Sequence, residues 1–180
     1  GALAAVTQEE TGRAYYAGED RYDDFRVEPR TAYGVFRLQQ DFNGGASQIG
    51  GIVTGLGRDL PGDGSFDVLP RQAFTGGLRF EHQWNDRDWK LGGFLAGSHV
   101  RGEPEAMVRL QRASNHYFQR PDATRFGVDS TATSMSGLNW RLQLDRQNGR
   151  HWTGGVWLAQ VTSGFEVNDL AFLNRADYTW

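Results

Sequence analysis

The feature of this 180-residue sequence that most constrains its fold is an alternation of apolar and polar residues with a period of two. Within residues 71–84, Phe74 and Leu78 fall on one parity. Arg79 and Glu81 fall on the other. Because successive side chains of a β-strand point to opposite faces, this stretch predicts a strand with one apolar face and one polar face.

Similar alternation recurs along the chain and predicts an all-β protein. Residues 31–42 and 133–145 alternate as cleanly as residues 71–84, and other stretches do so less regularly. The content of 24 glycines and 13% aromatic residues agrees with an all-β fold. Strands are predicted over residues 3–9, 31–42, 47–56, 71–84, 89–100, 133–145 and 151–161, with a last one beginning near Ala176.

The connections between these strands alternate strictly between short and long. Polar hairpin turns are predicted at residues 43–46, 85–88 and 147–150. Long connections are predicted at residues 10–30, 58–70, 101–130 and 162–175. This arrangement predicts an antiparallel up-and-down meander, and transmembrane β-barrels join their strands in the same way.

The positions of aromatic and charged residues favour a sheet that faces lipid on one side. Aromatic residues on the apolar parity lie beside the short turns, as expected of an interfacial girdle: Phe42, Trp84, Trp89 and Trp152. Charges of both signs fall on the opposite parity and are predicted to line a watery lumen: Arg37, Arg79, Glu81, Lys90, Arg141 and Asp145. A soluble sheet or sandwich, whose charges face solvent, has the same alternation and stays open as an alternative.

Composition excludes several classes of protein. No run approaches the roughly 18 apolar residues of a membrane-spanning helix. The absence of cysteine excludes a disulfide framework, a thiolate metal site and a cysteine nucleophile. A net charge of -3 argues against nucleic acid as the main partner. The scattered histidines and the acidic loops match no metal-binding spacing, so no metal site and no cofactor are predicted.

The long connection at residues 101–130 carries the candidate binding residues. Pro104 begins a stretch that predicts one or two helical turns. Ser114 lies two residues before His116, but without a Gly-x-Ser-x-Gly motif this pair does not indicate a hydrolase, and no enzyme active site is predicted. We expect this loop to fold into the barrel mouth with its arginines paired to lumen acids. Its candidate ligand-binding residues are Arg109, Arg112, His116, Tyr117 and Arg120.

Three segments resemble a known family. Residues 96–106, 116–122 and 164–172 look like the uncharacterised outer-membrane β-barrel domain found C-terminal to a family-nine-like carbohydrate-binding domain in bacterial envelope proteins. The likeness covers nearly the whole chain and is most specific over residues 164–180, although Ala171 stands where a glycine is expected. The resemblance implies a bacterial outer-membrane location, a separate sugar-binding domain and a role in carbohydrate binding or uptake, with no catalytic residues to carry over.

The strand lengths predict a partial barrel. The strand beginning at Ala176 has only five residues, whereas a membrane-crossing β-strand needs about 9–11. Residues 1–180 are therefore expected to form one segment of a larger barrel, with about seven full strands and a truncated eighth. Its expected partners are outer-membrane lipid, carbohydrate, and the remaining strands and N-terminal domain of the same protein. Two alternatives remain: a structural or adhesive surface protein with a plugged barrel, and a soluble all-β ligand-binding protein.

Overall fold

Hydrogen-bonded antiparallel strands form most of the computed structural model, which describes residues 1–167 and 169–180. The described elements are ten strands and one α-helix, joined in one place by a 3₁₀ turn at Asn43–Gly45. In chain order they are β1 (Ala2–Thr7), β2 (Glu10–Tyr16), β3 (Arg21–Glu28), β4 (Thr31–Phe42), β5 (Ser47–Arg58), β6 (Gln72–Trp84), β7 (Trp89–Arg101), α1 (Pro104–Arg112), β8 (Ser134–Arg146), β9 (Gly154–Val161) and β10 (Tyr178–Thr179).

Eight of these strands form one sheet in the order β1-β4-β5-β6-β7-β8-β9-β10. Every neighbouring pair in it is antiparallel. The prediction of an all-β antiparallel fold is therefore confirmed. In the described part of the chain, β1 and β10 are the two edges of the sheet and do not pair with each other.

The long connection predicted at residues 10–30 joins β1 to β4, and it has strand structure that was not predicted. These residues form a separate hairpin, β2–β3, in which Tyr15 pairs with Tyr22. The sequence of the hairpin is rich in charge on both strands, and nearly all its side chains are exposed. Because neither face of the hairpin is consistently apolar, the alternation that marks the other strands is missing here.

The helix begins at the predicted residue. Pro104 is its first residue, where a missing backbone N–H costs nothing, and the helix continues for nine residues to Arg112. Ala106 and Met107 are fully buried, whereas Arg109 and Arg112 are exposed. The helix is therefore amphipathic and lies against the sheet by its apolar side. No helix among the described residues is long and apolar enough to cross a membrane.

The register of the sheet separates its side chains into two faces. Leu78 lies opposite Gly51 of β5 and Leu95 of β7, while Arg79 lies opposite Gly50 and Phe94. One face, called the apolar face below, carries large side chains that are 40–69% exposed: Phe36, Leu38, Ile49, Val53, Phe74, Leu78, Phe80, Leu95, Leu138, Leu142, Val156 and Leu158. The other, the polar face, carries the predicted lumen charges.

The buried core lies on the polar face, at the end of the strands where the long connections emerge. There Met107 of α1 packs with Leu56, Val100 and Met135 of the sheet. Beside this cluster, Phe165 and further residues of the last connection pack on Val161. Residues 102–133, 162–167 and 169–177, called the loop cap below, thus cover one end of the polar face.

Glycine permits the closest approach between the loop cap and the sheet. A Cβ atom on Gly137 of β8 would overlap the backbone of Gly164 and Phe165. One on Gly164 would in turn overlap the backbone carbonyl of Ser136. Since backbone cannot move aside as a flexible side chain can, the two chain segments need glycine at both positions to lie in contact.

This contact yields a first testable prediction. Gly137→Ala should lower the free energy of unfolding by about 1–3 kcal/mol and loosen the loop cap, as overpacking does elsewhere. Gly76→Ala in β6 is a matched control, because a Cβ there would meet its nearest neighbour at 3.8 Å. Chemical denaturation together with limited proteolysis of residues 162–167 measures both effects. Equal stability of the two variants would contradict the role given to Gly137.

Candidate functional site

The open half of the polar face forms a depression. It has a volume of about 500 Å³ and is lined by side chains from β4 to β8, so the face is concave across five consecutive strands. Gly50, Gly77 and Gly92 lie on its floor and leave room above the backbone. We call this region the basic depression, because of the charged residues that line it: Arg37, Arg79, Glu81, Lys90 and Arg141.

Strand register brings the central residues of the basic depression into one row. Arg79 of β6 lies opposite Phe94 of β7, which in turn lies opposite Arg141 of β8. With neighbouring strands about 4.8 Å apart, the two arginines lie roughly 10 Å apart at the backbone, on either side of the phenyl ring. The row of Arg79, Phe94 and Arg141 therefore requires that β6, β7 and β8 pair in this register.

The only carboxylate lining the basic depression among the described residues is Glu81, and it already has partners. Lys90 Nζ lies 3.1 Å from Glu81 Oε2, and the Gln83 amide donates to Glu81 Oε1 at 2.9 Å. Arg79 Nη2 is farther from Glu81 Oε2, at 3.9 Å. Lys90 is thus the nearest cation to Glu81.

The other two arginines of the basic depression contact neutral groups. Arg37 Nη2 donates to Gln39 Oε1 at 3.2 Å. The Arg141 guanidinium carbon lies 4.8 Å from the ring centroid of Trp157, within the range of a cation–π contact. Arg141 Nε is buried and has no hydrogen-bond partner in the described part of the structure. The depression therefore has excess positive charge.

The predicted lumen charges share the polar face, but they do not all meet. Five of them line the basic depression, whereas Asp145 lies nearer the short turns. There Asp145 accepts two hydrogen bonds at 2.8 Å from the Gln143 amide. Sequence inspection missed Phe94 and Trp157, which lie on the polar face. Their parity, opposite to that of Leu95 and Leu158, was the signal that could have identified them.

The predicted girdle tryptophans form a cluster at the short-turn end of the sheet. The rings of Trp84 and Trp89 are nearly parallel, with their centroids 6.3 Å apart. The Trp152 ring meets the Trp89 ring edge-on, at a centroid distance of 6.2 Å. The Arg146 guanidinium lies over Trp152 at 4.2 Å. Phe42 lies at the end of β4 and is 45% exposed. The cluster combines apolar rings with a polar rim.

The structure corrects the prediction that His116 is a surface binding residue. Its side chain is fully buried, with Nδ1 2.7 Å from the Ser163 carbonyl oxygen and Nε2 2.7 Å from Glu166 Oε2. The Glu166 backbone N–H also donates to Ser98 Oγ at 2.9 Å. His116 therefore joins the two segments of the loop cap and cannot contact a ligand at the loop surface.

The expected pairing of loop arginines with lumen acids is also corrected. Arg120 pairs with Asp177 of the loop cap and lies 3.2 Å from Asp122, so its partners are loop acids. Arg109 and Arg112 are exposed on α1, and Tyr117 is 49% exposed. Of the five candidates, these three remain accessible at the loop surface.

Further hydrogen bonds stabilise the loop cap. Gln111, buried on α1, accepts a hydrogen bond from the Asp129 backbone N–H at 2.7 Å. Hydrogen bonds from the Thr131 backbone N–H and hydroxyl hold the pKa of the Asp129 carboxyl below its ordinary value. Asp129 therefore accepts these bonds as a carboxylate, and with Gln111 it orders the chain between the helix and β8.

The β2–β3 hairpin carries a second set of interacting side chains, which are exposed. Tyr15 and Tyr22 lie 4.9 Å apart at their ring centroids, and the Arg13 guanidinium is 2.9 Å from Asp24. That hydrogen bond lowers the pKa of the Asp24 carboxyl, and the bond from Tyr15 to Asp20 raises the pKa of the Tyr15 hydroxyl. These contacts pair charged and polar side chains within the hairpin.

Comparison with known protein families, with curated proteins and with solved structures finds no match to this chain. Among the described residues, no group of three or more histidine or acidic side chains is placed to hold a metal ion.

The buried histidine gives a second testable prediction. His116→Phe removes two hydrogen bonds and deprives the buried Glu166 of this partner, so it should lower the free energy of unfolding by about 2–4 kcal/mol. Tyr117→Phe is the matched control, because the neighbouring ring is half exposed and should change stability by less than about 0.5 kcal/mol. Chemical denaturation of both variants is the measurement. Similar stability of the two would show that His116 does not join the loop cap.

Proposed function

We propose that this chain is part of a β-barrel that crosses a bacterial outer membrane and serves carbohydrate binding or uptake at the cell surface. In this proposal the apolar face contacts lipid and the polar face lines an interior. The single observation that carries the membrane part is the exposure of one whole face of large apolar side chains, such as Leu78 at 68% and Val156 at 69%.

The size of the apolar face argues against a sheet exposed to water. The six strands β4 to β9, about 4.8 Å apart and bearing on average about 20 Å of apolar side chains, give a patch on the order of 600 Å². Soluble monomers rarely expose a contiguous apolar patch larger than a few hundred Å². The alternative of a soluble all-β protein would leave this patch uncovered, so lipid is the better partner.

The height of the apolar face fits a membrane. Phe74 and Trp84, at its two ends on β6, are ten residues apart. At about 3.3 Å per residue and a tilt near 40°, this span projects to roughly 25 Å, the height of the apolar band on outer-membrane barrels. The tryptophan cluster at the Trp84 end matches the position of an interfacial aromatic girdle.

The sheet has two edge strands, β1 and β10, and their unpaired backbone groups limit which architectures a membrane allows. In a bilayer, each unpaired backbone N–H or C=O group costs several kcal/mol, so a membrane sheet must close into a barrel. In the described residues, β1 and β10 each lack a second neighbour. The proposal therefore includes further strands that pair with these edges and complete a barrel larger than the present sheet.

The carbohydrate part of the proposal rests on the family resemblance of residues 96–106, 116–122 and 164–172.

A plugged structural or adhesive barrel is the second candidate. The observation in its favour is the loop cap, which buries one end of the polar face around Met107 and Phe165. Conductance across a planar lipid bilayer distinguishes an open pore from a plugged barrel.

Two neighbouring substitutions test the assignment of the faces. Leu78→Arg places a charge on the proposed lipid face near mid-strand and should reduce membrane insertion, at a cost of about 2–4 kcal/mol. Arg79→Leu, one residue along, should insert normally because its side chain faces the interior. Insertion is measured by flotation with lipid vesicles and by recovery in the outer-membrane fraction. Equal impairment by both changes would mean that the face assignment is wrong.

Cleavage by trypsin on intact cells tests the orientation. Arg125 lies exposed in the long connection after α1, and Arg87 lies exposed in the short turn between β6 and β7. If long connections face outward, trypsin should cut after Arg125 and leave Arg87 intact until the membrane is permeabilised. The reverse pattern would invert the topology. Cleavage at neither site before permeabilisation would count against an exposed outer-membrane loop.

A further inference from the structure

We propose that the basic depression binds the carboxylate of an acidic saccharide, such as a uronic acid unit of an oligosaccharide. This inference rests on the proposed function for the choice of a saccharide. The negative charge of the ligand is inferred from the side chains of the basic depression alone. It assigns a binding site to the open half of the polar face, away from the loop surface where Arg109, Arg112 and Tyr117 lie.

The charge of the depression favours an anionic ligand. Its lining has four cationic side chains and one carboxylate, Glu81, whose nearest cation is Lys90 at 3.1 Å. Asp41 and Asp145 lie on the same face but outside the lining, where they accept hydrogen bonds from Gln48 and Gln143. Within the depression the cations outnumber the carboxylate four to one, so a bound anion would neutralise positive charge there.

The arginines are suited to a carboxylate in particular. A guanidinium group offers a planar pair of N–H donors that matches the two carboxylate oxygens, which a lysine ammonium cannot do. The Arg141 guanidinium carbon lies 4.8 Å from the Trp157 ring centroid, and this contact holds the guanidinium beside the depression. Its Nε has no hydrogen-bond partner in the described residues, and no acid there forms an ion pair with Arg141, so its positive charge is not neutralised by a neighbouring carboxylate.

The depression also has the features of a site for a ring. Phe94, 37% exposed, lies between the two arginines in the row across β6–β8, and its phenyl ring can pack on the apolar C–H face of a sugar. The Gln39 and Gln143 side chains in the lining can exchange hydrogen bonds with hydroxyl groups. A volume of about 500 Å³ falls within the usual range of small-molecule pockets, roughly 300–1,000 Å³.

Calorimetric titration of the detergent-solubilised protein tests the proposal. The probes are galacturonic acid, its neutral methyl ester and inorganic phosphate. We expect the acid to bind at least about tenfold more tightly than the ester, because the ester keeps the ring and loses the charge. Its affinity should fall as salt is raised, since dissolved ions screen the arginines. Phosphate should compete only weakly, because it lacks the ring.

Three variants test whether galacturonate binds in the basic depression. Arg141→Gln and Arg79→Gln should each weaken galacturonate binding by about tenfold or more. Arg125→Gln removes an equally charged, exposed side chain outside the depression and should leave the affinity within about twofold. Circular dichroism verifies that each variant is folded. Two substitutions in the depression keep the test valid if one of them fails to fold.

The outcomes separate this inference from the proposed function. Equal binding of the acid and its ester, or equal affinity of Arg141→Gln, Arg79→Gln and Arg125→Gln, would overturn the anionic site. Phosphate competing as well as galacturonate would overturn the saccharide. If the wild-type protein inserts into vesicles and binds no galacturonate, only the inference fails. If it binds galacturonate but does not insert, the site stands and the barrel proposal fails.

Discussion

The antiparallel hydrogen-bond ladder from β4 to β8 is the constraint on which the other features of this protein depend. Each strand here has 12 or 13 residues and is paired along almost its whole length. Because side chains alternate with a period of two, a slip of one residue would turn Arg79 to the apolar face and Leu78 to the polar face. The exposed apolar face, the row of Arg79, Phe94 and Arg141, and the tryptophan cluster all require this one register.

The loop cap divides the polar face into two environments. At the end with long connections, Met107 and Phe165 bury apolar side chains of the sheet, and the buried pair of His116 and Glu166 joins the two covering segments. At the other end the face is open and basic. Close contact at Gly137 positions the covering segments on the sheet. The same face therefore supplies both the buried core and the group of charges that lines the basic depression.

Part of this architecture was predictable from local pattern. The central strands lie within about two residues of their predicted positions, and α1 begins at Pro104, because alternation and helix-start signals are properties of adjacent residues. The β2–β3 hairpin does not show this pattern, because charge lies on both of its faces. The His116–Glu166 pair is separated by 50 residues, and no signal in either segment indicates that they meet.

The sequence by itself determined the all-β class, the two-faced strands and the alternation of short and long connections, since each depends on residues close together in the chain. Only the tertiary structure decided how these parts combine. Register across three strands placed Arg79 and Arg141 beside Phe94, and packing of distant segments buried His116 while it left Arg109 exposed. Local alternation specifies which way a side chain points, whereas its neighbours and its burial depend on contacts between residues far apart in sequence.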